Sequence, residues 1–485
     1  MSAVELNWAV LYPELGLAAL VLVVLAMEAL FWPRRPSNNV AYLTLLGILL
    51  ALTLSLREWS DGSMSQAFNG MIAQDAHATF CDILLLTGAS VTVLLSLPYL
   101  SVTGRVTSEY YLLLVLATLG MLLLAAAADL VVVFLALELT WLALSVLASL
   151  PAGRAVSSEA GIKCFVLGVL GTAFFLGGAV LLYGAAGTTS IQELGDQLGN
   201  GGPVEPGLLV PGMVLLLAGL GLKLGAVPFH MWASDAQHGA PAPVAVFLAI
   251  GPRIAGFAAL ARILLTGFGP LVQTWQPVVW VLAGLTMAGG SLLALRQRRL
   301  KRMLAYAGIA QIGYLLLGLA AASPAGVASA AFYAWVHAVA AGGTFAALVM
   351  CRGAREELTR IKDYSGLGWR HPAFALAVAA FMLTLAGLPP PAGFVGRVYL
   401  LSAAMEAGHV GLAFLGAASS LVLAYSCLRV VASMFMHPVG ARPLDLVPSA
   451  GPLAVLLLTL LGILGVGLAP AALMDAAQAT VISIM

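Results

Sequence analysis

The sequence predicts an all-α polytopic membrane protein of about fourteen transmembrane helices, and three observations predict it. Of 485 residues, 61% are hydrophobic and 9% are charged, whereas water-soluble chains carry about 25% charged residues. Apolar runs of about 20 residues, enough to cross a hydrocarbon core, recur along the chain. Basic residues gather in alternate connections between those runs, as the positive-inside rule requires of a polytopic protein.

The runs fall near 9–32, 40–57, 76–100, 109–127, 129–150, 157–184, 207–232, 242–266, 275–295, 303–322, 325–351, 372–405, 408–436 and 451–474. The first has no basic segment before it and no small-residue cleavage site after it, so it reads as a retained helix rather than a signal peptide. Arg34 and Arg35 follow run 1, Arg105 run 3 and Arg154 run 5. Arg296, Arg298, Arg299, Lys301 and Arg302 follow run 9; Arg352, Arg355, Arg360, Lys362 and Arg370 follow run 11; Arg442 follows run 13. All lie on one side. The opposite connection 187–206 holds Glu193, Asp196 and Glu205 but no Lys or Arg. The rule places the basic side in the cytoplasm and both termini outside it.

Composition also excludes functions. The net charge of +1 is spread over short loops, so it gives no nucleic-acid footprint. Cys81, Cys164, Cys351 and Cys427 are far apart, without iron–sulfur or zinc spacing. No phosphate-binding loop or dinucleotide fingerprint precedes a helix. The chain is expected to hold no cofactor or metal.

Two runs cannot be regular helices. Residues 215–253 carry Lys223 within an apolar stretch, with Pro228 five residues on. A cation at bilayer depth costs roughly 2.5–3.5 kcal/mol on insertion scales, which marks it as functional, and proline breaks the backbone ladder. Residues 385–400, LAGLPPPAGFVGRVYL, hold Pro389, Pro390 and Pro391 between Gly387 and Gly393. These are predicted helices 7 and 12. They lie five apart, an odd number, so helices 4–8 and 9–13 would form two inverted five-helix repeats with an ion path at the breaks. The expected division is 1–104, 105–268, 269–437 and 438–485.

Other intramembrane polar groups follow. Glu138, nine residues into its run, lies about 14 Å deep at 1.5 Å per residue and is expected to pair with Lys223, because opposite buried charges are best accommodated together. Lys163 lies about 9 Å deep on the same scale and either snorkels or joins the path. His230, beyond the first break, is a cap or a proton relay. His337 is a core histidine or a relay in the second half. Arg253 and Arg397 read as permanent positive charges, since arginine does not release its proton in proteins. Glu28, Asp82 and Glu159 are placed near helix ends, Arg262 and Arg429 are expected to snorkel, and Asp235 reads as a loop or cap residue.

The segments GLKLGAVPFHMW (221–232) and GAPAPV (239–244), with LKRMLAYAGIAQIGYLL (300–316) and 384–400, resemble the antiporter-like subunits of respiratory complex I, and among them most closely subunit N of bacterial NADH-quinone oxidoreductases. The resemblance covers about residues 105–435. It implies two inverted five-helix bundles with broken helices 7 and 12, the helix-5 glutamate at Glu138 and the helix-6 lysine at Lys163. Arg253 and Arg397 stand where lysine is usual, and Gln311 where histidine is common. The implied function is proton translocation in a membrane arm of the bacterial inner membrane. NADH, FMN, iron–sulfur clusters and quinone would sit in partner subunits, and a neighbouring antiporter-like subunit and the small K-type subunit would be the contacts. The alternatives are a subunit of a multisubunit cation/proton antiporter or membrane-bound hydrogenase, or a non-pumping structural subunit.

Overall fold

The computed structural model describes residues 7–31, 38–62, 64–103, 108–150, 154–352, 360–439 and 445–484. Its helices are α1 (Tyr12–Phe31), α2 (Asn39–Asp61), α3 (Ala76–Thr103), α4 (Ser108–Ala126), α5 (Leu130–Ser149), α6 (Ala155–Ala186), α7 (Ile191–Gly199), α8 (Pro206–Leu224), α9 (Met231–Gly239) and α10 (Ala242–Arg262). The chain continues through α11 (Val272–Leu295), α12 (Leu300–Ala320), α13 (Pro324–Met350), α14 (Leu367–Arg370), α15 (Pro372–Ala386), α16 (Ala392–Glu406), α17 (Val410–Met436), α18 (Ala450–Leu468) and α19 (Ala471–Ile482). A short antiparallel hairpin, β1 (Ser65–Ala67) with β2 (Ile72–Gln74), joins α2 to α3.

Among the described residues, twelve helices are long and apolar enough to cross a membrane. The other two expected spans are α1 and the broken pair α15–α16. Three helices form the centre: α10 is buried at every residue, and most of α12 and α13 is buried too. Around them α2, α6 and α18 expose broad apolar faces. Such helices associate through close backbone approach. A Cβ at Gly178 would meet the Leu216 backbone nitrogen at 2.6 Å, and one at Gly219 that of Phe175 at 2.6 Å, so α6 and α8 touch where side chains are absent.

Both breaks form, but glycine rather than proline stops each helix. α8 ends at Leu224 because Gly225 turns left-handed at φ +76, its N–H reaching back to the Gly221 and Leu222 carbonyls. α15 ends at Ala386 in the same way, with Gly387 at φ +69 returning to Leu383 and Thr384. These are glycine C-caps; Pro228 and the Pro389–Pro391 run then shape the way into α9 and α16.

The basic connections share one end of the bundle. Arg299 and Arg360 pair as an isolated antiparallel bridge, and Lys301 Nζ donates to the Ala240 carbonyl at 3.0 Å. Arg34, Arg35, Arg105, Arg355 and Arg442 lie outside the described residues.

Two charges expected to snorkel do not. Arg262 is buried, with Nη1 2.6 Å from Asp75 Oδ2 and Nη2 3.0 Å from Asp75 Oδ1; its partner lies just before α3. Arg429 donates to the Leu295 carbonyl at 3.0 Å and to that of Gln297, closing the end of α11. Asp82 is fully buried rather than set at a wet helix end.

Candidate functional site

The first break carries an ion pair. Lys223 is the last residue but one of α8, where the C-terminal end of a half-helix favours a cation. Its side chain is 2% exposed, and Nζ lies 3.4 Å from Glu138 Oε1. Nζ also lies 4.6 Å from the centre of the Trp141 ring, within cation–π range. Trp141 is fixed in turn: its Nε1 donates to the Cys164 carbonyl at 3.1 Å, and Trp232 meets it edge-on at 4.8 Å. Glu138 stands one turn before Trp141 on α5 and accepts the Thr172 hydroxyl from α6. Unlike its partner, Glu138 is 27% exposed. The pair therefore joins a sealed cation to a carboxylate reachable from the α5–α6 side.

Lys163 stands apart from that pair. It lies between Glu159 Oε1 at 2.6 Å and Asp235 Oδ2 at 2.7 Å, with 41% of its side chain exposed. Asp235 also receives Arg302 from α12. It is therefore no loop or cap residue but the carboxylate in α9 that ties α6 to α12. A signal existed: Asp235 is the only acidic residue between positions 206 and 355. His230 occupies the N-cap position of α9 without making a side-chain cap, and its ring lies 6.3 Å from that of Tyr306. It makes no hydrogen bond to Lys223 among the described residues.

The central helices hold a second chain of polar groups. Arg253 on α10 is 4% exposed, and its Nη1 lies 3.4 Å from His337 Nε2 on α13. His337 Nε2 is also 3.3 Å from the Ala249 carbonyl. With the Gln237 amide oriented by its neighbours, Gln237 Oε1 accepts from Arg253 Nη2 at 3.1 Å. No carboxylate pairs with Arg253 among the described residues.

Arg397 closes the second break. From α16 it reaches back to the end of α15, donating to the Leu385 carbonyl at 2.5 Å and to that of Ala386. These carbonyls lack helical partners because α15 stops there, so the guanidinium answers both the orphaned acceptors and the negative end of the dipole. Arg397 Nε also donates to the Tyr333 hydroxyl at 3.1 Å, Nη1 to Ser420, and the group stacks 4.7 Å from the Tyr314 ring centre. Gln311 Nε2 donates to the Leu385 carbonyl at 3.1 Å, and Gln311 Oε1 accepts the Tyr333 hydroxyl. Gln311 was singled out in the sequence only as standing where histidine is common; Tyr333 was not among the sequence candidates. Since Tyr333 is one turn from His337 on α13, the order Arg253, His337, Tyr333, Arg397 runs through the core of the molecule. No direct hydrogen bond joins it to Lys223 among the described residues.

A membrane bundle with two glycine-capped breaks, one holding a buried lysine–carboxylate pair and the other an arginine, defines an antiporter-like transmembrane subunit. The model of the family described as NADH:quinone oxidoreductase/Mrp antiporter, TM, matches residues 127–423. NADH-quinone oxidoreductase subunit N of Trichlorobacter lovleyi is 38% identical over 98% of this chain and 97% of its own. A chain of the respiratory complex I structure from Thermus thermophilus superposes with a TM-score of 0.82, at 33% identity, over 96% of this chain and 99% of that one. A chain of the Mrp complex from a Dietzia species shares the fold, with a TM-score of 0.83 at 22% identity over 99% of this chain and 98% of that one. The chain belongs to the NADH-quinone oxidoreductase subunit N family.

Proposed function

We propose that this chain is a proton-translocating subunit of the membrane arm of an NADH-quinone oxidoreductase. The observation that carries this reading is the Lys223–Glu138 pair at the first break, sealed on the lysine side and open on the carboxylate side. Electrons do not enter this chain; NADH, FMN, iron–sulfur clusters and quinone belong to partner subunits. Quinone reduction elsewhere draws Glu138 away from Lys223. The ammonium, left without its partner in a low-dielectric site, then favours its neutral form and passes its proton on. Arg253 and Arg397 keep their charges throughout and set the barrier, while His337, Tyr333 and water carry the proton.

The exposed edge of Glu138 between α5 and α6 is where a small K-type subunit would dock, and a neighbouring antiporter-like subunit would continue the axis beyond α16. Helices 4–8 and 9–13 act as inverted repeats, divided as 105–268 and 269–437, with 1–104 and 438–485 flanking them. The basic end faces the cytoplasm of a bacterial inner membrane. In purified complex reconstituted into liposomes, Lys223→Ala should lower the protons moved per quinone reduced while leaving quinone reduction measurable. An unchanged ratio refutes the reading. Membership of a multisubunit antiporter is the second reading, favoured by the shared fold of the Mrp complex chain; transport without quinone reduction would select it.

A further inference from the structure

A second polar cluster lies in α1–α3, at the end of the bundle opposite the basic connections. Gln74, at the end of β2, points one amide nitrogen at two carboxylates: Nε2 lies 3.1 Å from Glu58 Oε2 on α2 and 3.0 Å from Asp82 Oδ2 on α3. The same nitrogen is 3.3 Å from Thr79 Oγ1, whose own proton goes to the Asp75 carbonyl. A primary amide nitrogen has two hydrogens, and here three acceptors crowd it.

Glu14 supplies the independent observation. It is 3% exposed, and neither carboxyl oxygen finds a hydrogen-bond partner among the described residues. Glu14 lies on α1, which packs against α2, the helix that carries Glu58. Asp82 is itself fully buried, with Oδ1 unpartnered. The nearby cations are committed elsewhere. Arg262, from α10, gives both terminal nitrogens to Asp75, His77 turns its Nε2 to the Ala258 carbonyl at 3.2 Å, and Arg57 faces Asp61 on the exposed side of α2.

We propose that Glu14, Glu58 and Asp82 form a proton-binding site in which buried carboxyls share a proton at neutral pH. Carboxyls held this close without a cation cannot all ionise. A proton on one of them removes one acceptor from the competition for the two Gln74 amide hydrogens and turns it into a donor, for which the unpartnered Gln74 and Glu14 oxygens are acceptors. Asp75 connects the site to α10 through Arg262, nine residues beyond Arg253. The site can therefore take up or release protons as α10 shifts, independently of the role given to Lys223.

The test uses the intact complex and reads protonation directly. Infrared spectra should contain a protonated-carboxyl stretch at pH 7 that Asp82→Asn and, separately, Glu58→Gln diminish in assembled complex; spectra unchanged by both overturn the proposal. Dicyclohexylcarbodiimide, which adds to a carboxylic acid by taking its proton, should label Glu14 or Asp82 in the unsubstituted complex about tenfold faster at pH 6 than at pH 9, located by peptide mass spectrometry. A rate independent of pH overturns it. Replacing potassium by sodium at constant ionic strength should leave the labelling unchanged; protection by sodium alone overturns the proton assignment in favour of a sodium site.

Discussion

The hydroxyl of Tyr333 accepts from Arg397 Nε at 3.1 Å and donates to Gln311 Oε1. One phenol thus joins the arginine of the second break to the amide that also braces it, one helical turn from His337. Tyr333→Phe keeps the ring and removes the junction. A buried donor left without its acceptor costs about 1–3 kcal/mol, so the complex should still assemble but lose thermal stability. Proton transport per turnover should fall. Normal transport in Tyr333→Phe would show that the hydroxyl only supports packing.

Arg397 serves Tyr333, Leu385, Ala386 and Ser420 at once. Only a planar fork reaches acceptors in that arrangement; a lysine ammonium is a point charge with three donors. Lysine is usual here in the resembling family, so Arg397→Lys invites the expectation of full tolerance. The geometry alters that expectation. Arg397→Lys should retain the charge and part of the transport but lower thermal stability, whereas Arg397→Ala should lose both. Equal stability of the arginine and lysine forms, by denaturation of the assembled complex, would show that the carbonyls at the end of α15 need no fork.

Much of this was legible because membranes make polar residues conspicuous. Lys223 and Glu138 stand in runs with few other charges, so each announces a partner. The breaks were legible from Pro228 and Pro389–Pro391, although Gly225 and Gly387 set their positions. A helix ends where a residue can turn left-handed, a signal weaker in sequence than proline. The long-range pair of Lys223 and Glu138 was legible because both are conspicuous, but other distant contacts were not. Arg262 and Asp75 are separated by 187 residues, so an arginine near a helix end could only be read as snorkelling. Asp235 was hidden by its polar surroundings in WASDAQHG, and Tyr333 by the general abundance of aromatic residues in membrane helices.

Thr172 offers a graded test of the first break. Its hydroxyl donates to Glu138 Oε1, the oxygen that also faces Lys223. Thr172→Val keeps the shape and frees the carboxylate on one side. Transport in liposomes should fall less than in Glu138→Gln, which removes the charge itself. A charge-assisted hydrogen bond is worth about 1.5–3 kcal/mol, so Thr172→Val should cost about tenfold or more, and Glu138→Gln more than that. If Thr172→Val falls as far as Glu138→Gln, the hydroxyl rather than the carboxylate charge controls the step.

Asp235 bridges Lys163 and Arg302, whose side chains are 41% and 36% exposed. Charges this wet are screened over a Debye length of about 8 Å at physiological ionic strength. Proton transport should therefore weaken as salt rises, and Asp235→Asn should lower it at low salt while flattening the dependence. A variant that keeps the full salt response would place the sensitivity elsewhere.

Gly225 and Gly387 occupy the same position in the two breaks, yet alanine should affect them differently. Both are left-handed, at φ +76 and +69, and a side chain there costs about 1–2 kcal/mol. At Gly225 an added Cβ meets Ala233 Cβ at 3.2 Å, a contact a small shift relieves. At Gly387 it meets Arg397 Cδ at 2.5 Å and Nη1 at 2.5 Å, and that guanidinium is held by its acceptors. Gly387→Ala should therefore lower the denaturation temperature of the assembled complex more than Gly225→Ala, and should impair transport by displacing Arg397. Because the two residues touch, Gly387→Ala combined with Arg397→Ala should lose less than the sum of the single losses. Simple additivity in that double-mutant cycle would mean that the glycine serves only its own backbone, and that the arginine does not depend on the space it leaves.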